Sequence, residues 1–189
     1  AVRARGRFAV ALAGGRTPQA LHALLSDPAA PYRARVPWDA VEVFFGDERC
    51  VPPDHPDSNY RAAREALLAH VPVPPARVHR LRGEDPDPAA AARAYEAELR
   101  SALGAAPRLD LALLGLGEDG HTASLFPGTA ALAVADRLAA ANRVPRLGAW
   151  RLTLTLPALR AARAGLFLVA GEEKAAAVRA VLEEEADLP

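Results

Sequence analysis

An α/β fold is predicted, a doubly wound and mostly parallel sheet with helices on both faces, built as a single domain over residues 1–189. Short apolar runs of β type alternate along the chain with amphipathic helical windows. Four of these runs stop at a glycine, where a chain leaving a buried strand turns toward a helix. Hydrophobic residues make up 51% of the 189 and charged residues 24%, enough apolar surface for one core and too balanced for a disordered chain.

Residues 8–13 (FAVALA) read as a buried strand ending at Gly14-Gly15. Thr17 stands as an N-cap before Pro18 at the first helical position, and Ala20, Leu21, Leu24 and Leu25 give that helix an apolar stripe. Val41–Phe45 (VEVFF) is a second strand, followed by a long polar loop rich in Pro and Asp. Asn59 caps the next helix, from Tyr60 to about residue 69. A third helix spans Pro88–Leu103, with Ala92, Tyr95, Leu99 and Leu103 on one face. Residues 109–114 (LDLALL) form the next strand, and the Ala-rich stretch 130–141 reads as solvent-facing or helical. Residues 152–156 (LTLTL) alternate as a half-buried strand does, and 166–170 form another buried strand, followed by a helix over 172 to about 185.

Lys+Arg and Asp+Glu both number 23, a balance unlike the basic excess of a nucleic-acid binder. No apolar run approaches the ~20 residues of a membrane span. A single cysteine, Cys50, excludes an intrachain disulfide framework and a cysteine-built metal cage, so a cytoplasmic setting is expected. With no methionine, the chain is expected to lack its translation start. Lys174 is the only lysine among the 23 basic residues, which reads either as chance or as a place where a compact ammonium serves better than a planar fork.

Ligands of parallel sheets bind where the strands end. Residues 14–17, 46–49 and 115–124 and Lys174 are therefore expected in one neighbourhood. Gly14 and Gly15 let backbone N–H groups approach an anion at a helix start, with the Thr17 hydroxyl beside them; a tight, well-capped turn is the plainer alternative. Asp47 and Arg49 follow a strand directly, the first suited to orienting a base or binding sugar hydroxyls, the second to a phosphate or carboxylate. A surface ion pair would be the bland reading of the same residues. The run Asp54-His55-Pro56-Asp57, with two prolines and no second histidine, makes a poor cage, and no metal is expected.

Residues 115–120 match G-x-G-x-x-G after a strand, yet Glu118 and Asp119 would meet a pyrophosphate with like charge. Pro127 and Gly128 also arrive before a crossover helix develops, so dinucleotide binding is rejected. What remains is a loop presenting Asp119 beside His121, whose imidazole is the natural base for activating water. His22, His70 and His79 lie in or beside ordinary elements and are assigned no chemistry.

LAGGRTPQAL (12–21), FFGDERCVPPDHPDSNYRAAREALL (44–68), LDLALLGLGEDGHTASLFPGT (109–129), RLTLTLPAL (151–159) and VAGEEKAAAV (169–178) together resemble the 6-phosphogluconolactonase family across nearly the whole chain. The resemblance implies a fold like that of ribose-5-phosphate isomerase and glucosamine-6-phosphate deaminase relatives. It also implies hydrolysis of 6-phospho-D-glucono-1,5-lactone in the oxidative pentose phosphate pathway, without metal or organic cofactor. His121 resembles the general base, with Asp119 and Asp47 as acids of the reacting end. Arg49, Arg151 and Lys174 resemble the cationic substrate and phosphate ligands, with Gly14, Gly15 and Thr17 at the phosphate turn. The partner is a small phosphorylated lactone, and the protein is expected to be a monomer or weak homo-oligomer. Backbone N–H groups of residues 115–121 are the expected oxyanion donors.

Glucosamine-6-phosphate deaminases, which look similar around D-G-H, supply a carboxylate five residues past the histidine. Here that position is Phe126, which favours lactonase. A non-catalytic sugar-phosphate sensor would usually carry a DNA-binding module, and an interaction scaffold would leave the clustered Asp47, Arg49, His121 and Lys174 unexplained. Arg16 replaces the serine of the usual G-G-S-T-P turn, and residues 145–148 (PRLG) replace the usual P-K-P-P. Relatives carry a helix ahead of the first strand and a strand and helix beyond residue 189, so both ends are expected to be short.

Overall fold

The computed structural model describes residues 1–183. Four strands, β1 (Phe8–Leu12), β2 (Val41–Phe45), β4 (Leu111–Leu114) and β7 (Gly165–Phe167), form a parallel sheet in the order β2-β1-β4-β7. Its register runs from Phe8 opposite Val41 to Leu12 opposite Phe45, and from Val10 opposite Leu111. The apolar runs of β1, β2 and β4 are buried, as strands covered on both faces must be. Buried Asp110 sets the entry to β4: it accepts from the Ala9 N–H at 3.0 Å and pairs with Arg5 and Arg163.

A second, antiparallel sheet was not foreseen. β3 (Asp47–Arg49), β5 (Ala139–Val144) and β6 (Ala149–Leu154) pair in the order β3-β6-β5. The DER segment, read as loop, is thus a strand, with Asp47 opposite Thr153 and Arg49 opposite Arg151. Residues 130–141 also depart from expectation: after a 3₁₀ turn, Ala130–Ala133, the alanines of β5 pair with β6, and Ala131, Ala139 and Ala140 are buried. Non-local pairing has overridden the helical preference of alanine there.

The helices are α1 (Val2–Arg5), α2 (Arg16–Ser26), α3 (Asn59–Ala63, continued by a π turn, Arg64–Leu68), α4 (Pro88–Leu103), α5 (Leu156–Ala161) and α6 (Ala175–Glu183). α4 begins and ends as predicted. Asp87 caps it by accepting from the Ala89 and Ala90 N–H groups, and Tyr95, Leu99 and Leu103 enter the core. The Tyr95 hydroxyl donates to the Phe45 carbonyl at 2.9 Å and accepts the Phe45 N–H at 2.8 Å, satisfying the backbone at the end of edge strand β2.

Four local expectations are corrected. Gly15, not Thr17, precedes the first residue of α2, so Pro18 falls on its third residue. The predicted apolar stripe is shifted: Pro18, His22 and Ser26 are the buried residues of α2, Leu21 and Leu25 are half-buried against the core, and Ala20 and Leu24 are exposed. Ser58, not Asn59, caps α3, accepting from the Arg61 N–H, and Asn59 becomes its buried first residue. Finally, β7 lies at the sheet edge with Leu166 and Phe167 exposed rather than buried. The last helix starts as a 3₁₀ turn at Glu172–Lys174, and its predicted end near residue 185 lies outside the described residues. No helix among the described residues is long and apolar enough to cross a membrane.

Candidate active site

The carboxyl ends of β1, β2 and β4 open onto a cavity of about 350 Å³, within the range of small-ligand sites. Gly14, Gly15, Asp47, Arg49, His121, Arg151 and Lys174 all reach its wall, so the four expected segments converge. A more open depression beside it is shared by His121, Arg146 and Lys174, and Asp119 lines that part. Thr17 lies outside both walls, on the first turn of α2. Arg16 points outward toward Glu173, with 94% of its side chain exposed.

The loop after β4 builds an imidazole–carboxylate pair. His121 Nδ1 lies 2.5 Å from Asp119 Oδ1. Burial works to raise the Asp119 carboxyl. The hydrogen bond and charge of His121, the His121 N–H and the guanidinium of Arg146 together outweigh that, holding it below the usual carboxylate range. With Asp119 ionised, Nδ1 is the donor, and Nε2 carries the lone pair a general base needs. Gly117 is required for this closeness, because a Cβ there would fall on His121 Nδ1 and Asp119 Oδ1. The Gly117 and Gly120 N–H groups donate to carbonyls of their own loop, at 2.8 and 3.1 Å, and His121 N–H reaches Asp119 at 3.4 Å. These three expected oxyanion donors are committed to the loop's own fold.

Asp47 is held from two sides. Ser124 Oγ donates to its Oδ2 at 2.7 Å, and Asn59 Nδ2 donates to its Oδ1 at 3.1 Å and to its carbonyl at 3.0 Å. Gly14 is explained by the same contact, since a Cβ there would overlap the Asn59 amide. Beneath them, Glu48 points away from the cavity, as strand alternation requires. It is 3% exposed and accepts from the N–H groups of Arg49, Asn59 and Tyr60 and from the Ser58 hydroxyl. Burial pushes its carboxyl up, against the pull of those four donors.

The cationic wall comes from the second sheet. Arg49 and Arg151 are directly opposed across β3 and β6. Burial first, and then the charge of Arg49, push the Arg151 guanidinium below its ordinary value. Two like charges facing one another are unfavourable unless an anion joins them.

Sequence reasoning missed three contributors: Asn59 and Ser124 as the holders of Asp47, and Arg146. Asn59 and Ser124 lay within the quoted motifs, but their shared partner is 12 and 77 residues away. Arg146, in the turn that departs from the familiar pattern, pairs with Asp119 Oδ2 at 2.7 Å.

Such a pocket, with paired guanidinium groups at one wall and a carboxylate-bound imidazole at another, has the make-up of an enzyme site for a small anionic molecule. The family model described as glucosamine-6-phosphate isomerases/6-phosphogluconolactonase matches residues 1–189. The 6-phosphogluconolactonase of Synechocystis sp. is 45% identical over 191 residues, covering 99% of this chain and 76% of the relative. That of Streptomyces coelicolor is 40% identical over 188 residues, covering 94% and 71%. Among solved structures, 6-phosphogluconolactonase from Trypanosoma cruzi superposes with a TM-score of 0.84 at 32% identity, covering 100% of this chain and 78% of that one. A monomeric glucosamine-6-phosphate deaminase, 24% identical with a TM-score of 0.78 over 96% of this chain, shares the fold. The chain belongs to the glucosamine-6-phosphate isomerase/6-phosphogluconolactonase family, and within it is an ester hydrolase of the lactonase type.

Proposed function

We propose that this chain hydrolyses 6-phospho-D-glucono-1,5-lactone to 6-phospho-D-gluconate, in the oxidative pentose phosphate pathway, with His121 as general base. The observation that carries the reading is one cavity holding both a carboxylate-bound imidazole and an opposed arginine pair. Arg49, Arg151 and Lys174 take the phosphate, together with the backbone turn at Gly14 and Gly15. Asp47, immobilised by Asn59 and Ser124, offers a fixed acceptor to a sugar hydroxyl at the reacting end.

His121 Nε2 removes a proton from water as the oxygen attacks C1 of the lactone, giving a tetrahedral oxyanion. Collapse re-forms the carbonyl and breaks the bond from C1 to the ring oxygen. The imidazolium returns its proton to that oxygen, which becomes the C5 hydroxyl. Asp119 stabilises the imidazolium between the two transfers. A six-membered lactone is already a reactive ester, so one positioned base, contributing ~10²–10⁴-fold, is a sufficient device.

Phe126 speaks against the deaminase reading: its ring stacks on the His121 imidazole, with centroids 4.0 Å apart, where those relatives supply a carboxylate. The test is a rapid assay on freshly generated lactone, corrected for spontaneous opening, beside unphosphorylated gluconolactone. Turnover well above the blank with strong preference for the phosphorylated substrate is expected. A rate equal to the blank would remove the reading.

A further inference from the structure

We infer that Arg146 is a positioning residue for the Asp119–His121 pair, locking the carboxylate against the imidazole from the side that His121 does not occupy. This inference rests on the lactonase reading above. Arg146 sits in the 3₁₀ turn Pro145–Leu147, between β5 and β6, on the opposite sheet from the loop it touches. Its guanidinium binds Asp119 Oδ2 at 2.7 Å, while Oδ1 serves His121. Its Cζ also lies 4.9 Å from the centre of the Phe126 ring, and that ring stacks on His121 at 4.0 Å and 28°. Arg146, Asp119, His121 and Phe126 therefore close a circle in which each side chain touches two others.

The circle matters because the Asp119 carboxylate itself stands partly open to solvent. The residue lies between Gly117 and Gly120, the latter at φ 81°, with its side chain 28% exposed to competing water. Binding both carboxylate oxygens to different partners stops rotation of the group, and with it rotation of the imidazole. A planar guanidinium meets a carboxylate edge and an aromatic face together, whereas an ammonium supplies charge alone. Lys174 and Glu118 also line the outer depression, but it is Arg146 that reaches the Asp119 carboxylate there, at 2.7 Å. Its side chain is 55% exposed, so replacing it opens no core.

Arg146→Met and Arg146→Lys test this. A downfield proton resonance is expected from His121 Nδ1–H, identified by its loss in His121→Ala. In Arg146→Met it should broaden or vanish, with kcat down about fivefold, KM within about twofold and the melting temperature unchanged. Arg146→Lys should recover part of both signals. An unaltered resonance in Arg146→Met, or a defect confined to KM, would overturn the inference. Should the wild-type protein show no turnover, the lactonase reading fails, while the resonance still decides the role of Arg146.

Discussion

Arg49 and Arg151 face one another across an antiparallel pair, both in the wall of the cavity that holds His121. The charge of Arg49 works against that of Arg151, with Asp47 and Asp57 offsetting it in part, and a bound anion would relieve it further. Arg151→Gln is therefore expected to leave the free protein as stable as wild type or up to about 1 kcal/mol more so, in urea unfolding. The same variant should raise KM for the phosphorylated lactone by about tenfold or more, with little effect on the unphosphorylated one. Equal losses on both substrates would contradict a phosphate role.

Gly117→Ala separates catalysis from folding. The glycine is not among those at positive φ, so alanine is tolerated by the backbone but collides with the His121 ring and the Asp119 carboxylate. A loss of about 10²-fold in kcat is expected, because a displacement near 1 Å suffices to misplace a base. Thermal unfolding should show little change. A variant with full activity would mean the pair does not need its close approach.

Glu48 staples strand β3 to the start of α3. Glu48→Ala strands three backbone N–H groups and a hydroxyl, and a loss of about 3 kcal/mol is expected in urea unfolding. Glu48→Gln, which keeps one acceptor oxygen, should lose about 1 kcal/mol. Equal stability of both variants with wild type would show that the four bonds contribute nothing net.

His22 gives the stability curve an acidic slope. Its ring is 1% exposed, with neither nitrogen bonded, and burial pushes its pKa down to about 4 from 6.5. The unfolded chain therefore takes up a proton that the folded one refuses. Stability from this group is intact above pH 6.5 and falls as pH drops toward 4. Between pH 7.5 and pH 5 the loss is roughly 2 kcal/mol, and His22→Leu should flatten that slope. An unchanged slope in the variant would assign it to other groups.

What was legible in the sequence follows from range. α4 was readable because its proline start and its apolar face are local signals, as were the parallel strands with their terminal glycines. The second sheet was not, since β3 is three residues long and β5 is rich in alanine; only pairing with β6 makes them strands. The same holds at the site. His121, Asp47, Arg49 and Lys174 stand out by type and place, whereas Ser124 and Asn59 matter only through Asp47, to which folding brings them. α2 misled in part because a helix wedged beside α3 centres its buried face on His22, leaving Leu21 and Leu25 half-buried at its sides and Leu24 exposed.

The central claim is that the His121 imidazole does the chemistry while a separate cationic wall holds the substrate. His121→Ala, assayed on fresh lactone and titrated calorimetrically with 6-phosphogluconate, tests it most directly. The expected result is a kcat lower by about 10²–10⁴-fold with product affinity within about threefold of wild type. Near-normal turnover in that variant, or affinity lost in step with kcat, would contradict it.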